Sequence, residues 1–157
     1  MDKEQEQFDE LKQRFSYMFT GPNIGLDIFR GWLPDFVEAC EAIDALLGNE
    51  KKGFHFSQCK EKYGWARYYF STSGVRINKI SMRFKGGIRE LTTGLEGHEL
   101  EQQITKILDA AEEKSMTKCI VCGEPSEIRT YSRWDICACE KHSPDVPGDH
   151  LKRAALK

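Results

Sequence analysis

The sequence predicts an α+β fold in which three main helices pack against an aromatic β-hairpin or small antiparallel sheet, followed by a small cysteine-rich module. Three observations support this prediction. Apolar residues recur at helical spacing in three segments, aromatic and polar residues alternate between two of these, and cysteines cluster late in the chain. The predicted divisions are an α+β domain over 1–115, the cysteine-rich module over 116–143 and an extended tail over 144–157.

The composition indicates one globular unit with a single core. The 157 residues are 39% hydrophobic and 31% charged. No apolar run is long enough to cross a bilayer, and the acidic opening MDKEQEQFDE lacks the basic and apolar regions of a secretory signal. We therefore expect a cytoplasmic protein with no membrane partner. In a reducing compartment, six cysteines indicate metal ligands and buried thiols rather than disulfides.

Two helices are predicted in the first third of the chain. The first covers residues 2–19 and ends before Gly21-Pro22, because its apolar residues lie three and four positions apart: Phe8, Leu11, Phe15 and Met18. The second runs from Pro34 to Gly48, with one apolar face formed by Phe36, Cys40, Ile43 and Leu47. Cys40 is therefore predicted to lie in the core.

The middle of the chain carries the predicted strands. Residues 54–70 alternate aromatic and polar side chains around EKYG, which predicts a hairpin whose rings mostly face the core. Residues 75–85 predict a further strand, with a bulge or tight turn near Asn78. Its Lys79, Arg83 and Lys85 would then form a basic stripe facing solvent.

The remaining segments are one loop, one helix and the tail. Glycines and threonines over 86–97 predict a loop. Helical spacing returns over 98–115, where the apolar residues are Leu100, Ile104, Ile107, Leu108 and Ala111. The two prolines and few apolar residues of 144–157 predict an extended or partly disordered tail.

The cysteine-rich module contains a metal-binding pattern. Cys119 and Cys122 form a CxxC pair, and Cys139 and His142 form a CxxH pair after sixteen intervening residues. Two residues between ligands let a tight turn direct both side chains at one ion. The spacing therefore predicts a structural zinc ion in a zinc-ribbon or treble-clef-like module, with no coordination position left for a catalytic water. Cys137 is the alternative to His142 as fourth ligand.

Charge is segregated along the chain. Residues 51–93 contain ten lysines or arginines and two glutamates, whereas the whole chain has a net charge of −2. Such a block either attracts an acidic partner or phosphates, or balances neighbouring acidic helices. The candidate contact residues are Lys60, Lys62, Arg67, Lys79, Arg83 and Lys85.

Several of these motifs together resemble a family of uncharacterised bacterial and phage proteins. The shared elements are Trp32-Leu33-Pro34, the hairpin stretch from Gln58 to Tyr69 with its KEKYG and RYY segments, and the CxxC and CxxH pairs. The resemblance covers roughly 32–70 and 104–142, and residues 71–97 depart from it by being longer and more basic. It implies the fold, the zinc site and a phage or prophage origin, but no particular activity.

Binding is favoured over catalysis. We expect a regulator or inhibitor of a host protein, such as a defence component, acting through segment 51–93. The alternative is a binder of nucleic acid or of a phosphate-bearing nucleotide, because aromatic and basic residues interleave in the hairpin. A nuclease of the HNH kind is less favoured, because Asp149-His150 follow both ligand pairs instead of lying between them. No catalytic residue is predicted.

Overall fold

The structure of the protein is a computed structural model that describes residues 2–75, 78–84 and 87–157, and of residues 78, 80–84, 87, 89 and 90 the backbone alone. It is an α+β fold. The helices are α1 (Lys3–Arg14), α2 (Leu33–Leu47), α3 (Glu99–Ser115) and α4 (His150–Ala154). The strands are β1 (Ile28–Phe29), β2 (His55–Lys62), β3 (Trp65–Ser71), β4 (Asn78–Phe84), β5 (Gly87–Thr93), β6 (Ile128–Tyr131), β7 (Trp134–Cys137) and β8 (Ala155–Leu156).

The two N-terminal helices form largely where the sequence predicts them. α1 is shorter than predicted: it ends at Arg14, and a 3-10 turn over Ser16–Phe19 carries the apolar stripe on to the buried Met18. Asp2 caps α1 by accepting a hydrogen bond from the Gln5 N–H. α2 has its proline at the start and ends at Gly48, whose φ of 64° is one that glycine adopts readily. Cys40 lies fully in the core, as predicted.

The β2–β3 hairpin is the centre of the fold. Tyr63 and Gly64 form its turn with φ values of 58° and 95°, and the two strands are antiparallel. The rings that it contributes to the core are those of Phe54, Phe56, Tyr68 and Phe70. The prediction that most of the hairpin rings face the core is therefore confirmed.

Both edges of this hairpin are covered. On the outer edge of β2, the Cys59 N–H donates to Gly25 O, and Cys59 O accepts from Asp27 N–H. On the outer edge of β3, side chains of α3 replace a strand: Ala66 N–H donates to Ser115 Oγ and Tyr68 N–H to a Glu112 carboxylate oxygen, both at 2.8 Å. Neither edge of the hairpin is left as a template for a further strand.

Two sequence predictions about irregular segments are wrong. Residues 86–97 were expected to be a loop, but Gly87–Thr93 form β5, which pairs antiparallel with β4. The tail was expected to be extended, but it forms α4 and β8, and β8 pairs with β1. Ala154 and Leu156 are buried there, so these two side chains and the pairing of β8 with β1 hold a segment that has few apolar residues.

One core unites these elements, and its members come from the helices, the β2–β3 hairpin, the cysteine-rich module and β8. Trp32, Phe36 and Met18 are among its fully buried side chains. Among the helices of the described residues, none is long and apolar enough to cross a membrane.

Candidate metal centre

A tight turn after α3 positions the first pair of ligands. The Gly123 N–H donates to Cys119 O at 2.8 Å, and the Cys119 N–H donates to Glu124 O at 2.8 Å. Gly123 has a φ of 79°, which strains other residues. The Val121 N–H also points at the Cys119 Sγ, at 3.4 Å. The turn therefore presents Cys119 and Cys122 on one side.

The second pair is delivered by the end of the β6–β7 hairpin. Cys139 lies two residues beyond β7, and the His142 N–H donates to Cys139 O at 3.1 Å, forming a second turn. His142 Nδ1 lies 3.2 Å from the Cys139 Sγ and 3.8 Å from the Cys119 Sγ. The Cys122 and Cys139 sulfurs are 3.8 Å apart.

The four ligand atoms together could hold one metal ion. All lie within 4.8 Å of one another. Ligand atoms about 2.0–2.3 Å from a shared tetrahedral ion lie about 3.3–3.8 Å apart, and the Cys119–His142, Cys122–Cys139 and Cys139–His142 separations are 3.8, 3.8 and 3.2 Å. All six cysteines lie in the described part of the chain and none is disulfide-bonded, so the sulfurs remain available as ligands.

The electrostatics of the first pair also suit a cation. Burial opposes ionisation of the Cys119 thiol, but backbone N–H groups directed at its sulfur bring its pKa below the ordinary value. Partial burial and the neighbouring Cys119 raise the pKa of Cys122 to about 12. A negative charge on one of the two sulfurs therefore disfavours a negative charge on the other, and a bound cation would stabilise both thiolates.

Cys137 lies apart from the four ligand atoms. It is buried, and its thiol points at Met116 O, 3.4 Å away. Burial raises the pKa of the Cys137 thiol to about 11, and its sulfur is not one of the four ligand atoms that lie together. The structure therefore brings His142, and not Cys137, to the other three ligands.

The cluster opens onto a cleft of about 1320 Å³ between the β6–β7 hairpin and residues 138–146. Cys122, Cys139 and His142 line it, and so does Tyr131. Cys122 is exposed and Cys139 is half-buried, whereas Cys119 is 0% exposed. One side of the cluster therefore faces solvent.

Of the six basic residues that the sequence nominated, four have described side chains, and one of these four, Lys62, is exposed. Lys60 is half-buried and Lys62 is exposed on β2. Arg67 is fully buried, with its guanidinium 4.0 Å from the centre of the Trp65 ring. The Lys79 side chain is 5% exposed and pairs with Glu112 at 2.9 Å, so the expectation that Lys79 faces solvent is wrong. The Arg83 side chain and Lys85 lie outside the described residues.

Two parts of this arrangement are missed by the sequence analysis. Glu112 accepts hydrogen bonds from the Tyr68 N–H and from Lys79 Nζ. Its acidic neighbours in α3 make it look like a solvent-facing residue in the sequence. The Trp32 Nε1–H donates to Lys118 O at 2.9 Å and so joins the start of α2 to the cysteine turn. Trp32 lies 86 positions before Lys118 in the sequence, so no local pattern indicates this contact.

The fold and the site define this chain as an α+β protein with a four-residue Cys/His cluster that could hold a metal ion. Searches of protein-family models, curated proteins and solved structures find no match to it.

Proposed function

We propose that Cys119, Cys122, Cys139 and His142 hold one structural zinc ion in a ribbon-like or treble-clef-like module. The observation that carries this proposal is that four suitable ligand atoms lie within 4.8 Å of one another. Three thiolates and an imidazole are a common zinc ligand set. Four protein ligands close a tetrahedral shell and leave no position for a reactive water, which favours a structural role over a catalytic one.

The zinc ion would fix the cysteine turn against the rest of the fold. The Gly31 N–H donates to Ile120 O at 2.9 Å, and Ile120 N–H donates to Cys137 O at 2.8 Å. A side-chain Cβ on Gly31 would lie 1.8 Å from Cys119 O, so the two backbones meet directly. Anything that fixes the cysteine turn therefore also fixes the start of α2.

Elemental analysis of the purified protein tests the zinc site. We expect about one equivalent of zinc per chain, and removal by a strong chelator should be accompanied by loss of near-ultraviolet dichroism from Trp32 and Trp134. Zinc below about half an equivalent, with no gain of structure when zinc is added, would contradict the proposal.

We further propose that the protein binds and regulates or inhibits a host protein, as a phage or prophage product in the bacterial cytoplasm. The support is the charge of segment 51–93, which is strongly basic in a chain of net charge −2. A patch of one sign favours association with a partner of the opposite sign. The partner would therefore present an acidic surface.

The described residues narrow the contact surface within segment 51–93. Lys60, Lys62 and Arg67 lie on the same face of the hairpin, because Lys60 pairs with Arg67 and Lys62 pairs with Trp65 across the two strands. Lys62 Nζ stands 5.2 Å from the centre of the Tyr63 ring, and the Tyr63 side chain is 39% exposed. Among the nominated residues whose side chains are described, Lys60 and Lys62 are therefore the cations we assign to this contact surface, together with Tyr63, whereas Arg67 is buried.

Affinity capture from a nuclease-treated bacterial lysate tests this function. A host protein should be retained by the wild type and lost from the double variant Lys60→Glu/Lys62→Glu. Lys106→Glu is the matched control, because Lys106 is exposed on α3, outside segment 51–93. Equal capture by the wild type and the double variant would contradict the assigned surface.

Binding of nucleic acid or of a phosphate-bearing nucleotide is the second candidate function. The observation that favours it is the exposed Tyr63 ring beside Lys62, since stacking rings and cations together bind single strands. This function predicts that affinity falls steeply as salt rises, and that nuclease treatment abolishes capture. A nuclease of the HNH kind is less supported: His150 lies near His142, with ring centres 5.6 Å apart, but after both ligand pairs in sequence.

A further inference from the structure

Cysteine accessibility divides the six thiols into two groups. Cys40, Cys59 and Cys119 are 0% exposed and Cys137 is 1% exposed. Cys122 is exposed and Cys139 is half-buried, and both line the same cleft. A dissolved oxidant would therefore reach these two sulfurs first.

The two accessible sulfurs are also placed to react with each other. Their Sγ atoms are 3.8 Å apart, on two separate turns. Each belongs to a different ligand pair, so a bond between them would take one ligand from each turn. The remaining ligands, Cys119 and His142, could not hold an ion alone.

We propose that Cys122 and Cys139 are a modification site at which a hydroperoxide forms a disulfide and thereby expels the metal ion. This inference rests on the proposed zinc site and adds a means of regulating it. Metal coordination requires thiolate sulfurs, and thiolates are the nucleophiles in such reactions.

The reaction balances without any further reagent. The Cys122 thiolate attacks one peroxide oxygen, the O–O bond breaks, and the leaving oxygen takes a proton to become water or an alcohol. The Cys139 thiolate then attacks the sulfenic sulfur of Cys122, the S–O bond breaks, and a second proton carries the hydroxide away as water. Two electrons pass from the sulfurs to the peroxide, and the zinc ion leaves with its charge unchanged.

Metal release would loosen the part of the fold that meets the cysteine turn. The turn contacts the start of α2 through Gly31 and Trp32, and each contact uses the backbone of 118–120. In contrast, the core thiols Cys40 and Cys59 would remain reduced inside the folded core. The modification would therefore act on one region of the chain.

The test uses the zinc-loaded full chain treated with hydrogen peroxide, with released zinc read by a chromogenic chelator. We expect release of about one equivalent of zinc per disulfide formed, and its recovery after a phosphine reductant and fresh zinc are added. Zinc content is measured before the peroxide is added. A chain that lacks zinc at that stage overturns the proposed function and this proposal with it. A loaded chain that keeps its zinc under peroxide overturns this proposal alone.

Peptide mapping of the oxidised wild type identifies the bond. Trypsin places Cys119 and Cys122 in one peptide, 119–129, and Cys137 and Cys139 in another, 134–141. We expect these two peptides to be cross-linked, with fragment masses that assign the bond to Cys122 and Cys139. A bond within peptide 119–129, or oxidation to sulfinic acid without a bond, overturns the proposal.

One variant completes the test. Cys137→Ser removes a thiol outside the cluster and should release zinc at the wild-type rate under peroxide. Release from Cys137→Ser at least tenfold more slowly than from the wild type would overturn the pairing of Cys122 with Cys139.

Discussion

The α2 and β2–β3 region and the cysteine-rich region reach stability by different means. In the first, large rings fill the interior: the Phe36 centroid lies 5.2 Å from that of Phe56 and 5.0 Å from that of Tyr68. In the second, the buried side chains between 117 and 143 include no aromatic ring and only one large aliphatic residue: Cys119, Ile120, Cys137, Ala138 and Ser143. This apolar area offsets little of the entropy of ordering such a segment, and the proposed metal cross-link would add the stability that packing does not.

The largest expected effect is the loss of the metal from Cys139→Ser. Binding of a structural zinc ion contributes about 10–16 kcal/mol in small metal modules, and a three-ligand site would lose much of this. We expect the purified variant to contain little zinc and to be cleaved by protease within 117–143 while the core region persists. Elemental analysis and mapping of the fragments measure both effects.

Cys137→Ser is the control for that loss, because Cys137 neighbours Cys139 but its thiol points at Met116 O. It should retain about one equivalent of zinc. Loss of zinc from Cys137→Ser with retention in a His142→Ala variant would show that Cys137, not His142, is the fourth ligand.

The next largest effect concerns the ring-packed region of α2 and the β2–β3 hairpin. Phe36 is 0% exposed, and Phe36→Ala should lower the free energy of unfolding by about 3–5 kcal/mol through a cavity in the ring cluster. Denaturant unfolding with and without a chelator should give the same loss, because Phe36 packs against the rings of Phe56 and Tyr68 in the hairpin. A loss that vanishes in the chelator would mean that the two regions are not separately stabilised.

The sequence indicates the helices and the β2–β3 hairpin because their patterns are strong. α2 has a proline start, a glycine end and an uninterrupted apolar face, and the Tyr63-Gly64 turn sits between two aromatic runs. The four ligands are also local signals, because each pair needs only a two-residue spacing. These are the features for which nearby residues alone decide the structure.

The remaining features depend on distant partners. β5 contains one glycine and two threonines, and its surroundings are glycine-rich, which indicates a loop; only its pairing with β4 makes it a strand. The last residues form a strand because β1 is available to pair with them. Arg67 and Lys79 are of residue types that usually lie on the surface, yet both side chains are buried. The Trp65 ring packs against Arg67, and the Glu112 carboxylate pairs with Lys79. No spacing rule reports such contacts.

Gly31→Ala tests the contact between the two regions. The new Cβ would lie 1.8 Å from Cys119 O and 2.7 Å from the Ile120 carbonyl carbon, so the backbones must separate. We expect a loss of about 1–3 kcal/mol in unfolding free energy and faster zinc release to a chelator. Gly25→Ala is the matched control, since its Cβ would meet nothing closer than 4.0 Å. Equal effects of the two substitutions would contradict a direct contact at Gly31.

The smallest expected effect is a pH dependence of the free energy of unfolding at Asp44, which lies in α2 and not in the cysteine-rich region. Lys51 Nζ and the Tyr17 hydroxyl both donate to Asp44 at 2.6 Å, and Lys51 chiefly holds the pKa of this carboxyl below its ordinary value. A depressed folded pKa adds stability above the unfolded pKa of about 3.9, and this stability is lost as the pH falls through the folded value. Asp44→Asn should therefore lower the free energy of unfolding by at most about 1 kcal/mol near neutrality and not at all at the acid end, as measured by denaturant unfolding of the zinc-free chain across pH.

Zinc release from the wild type should occur at higher pH than this change, because protons compete for three thiolates whose ordinary pKa is far above that of a carboxyl. Release of zinc only below the pH at which Asp44 titrates would contradict thiolate ligation.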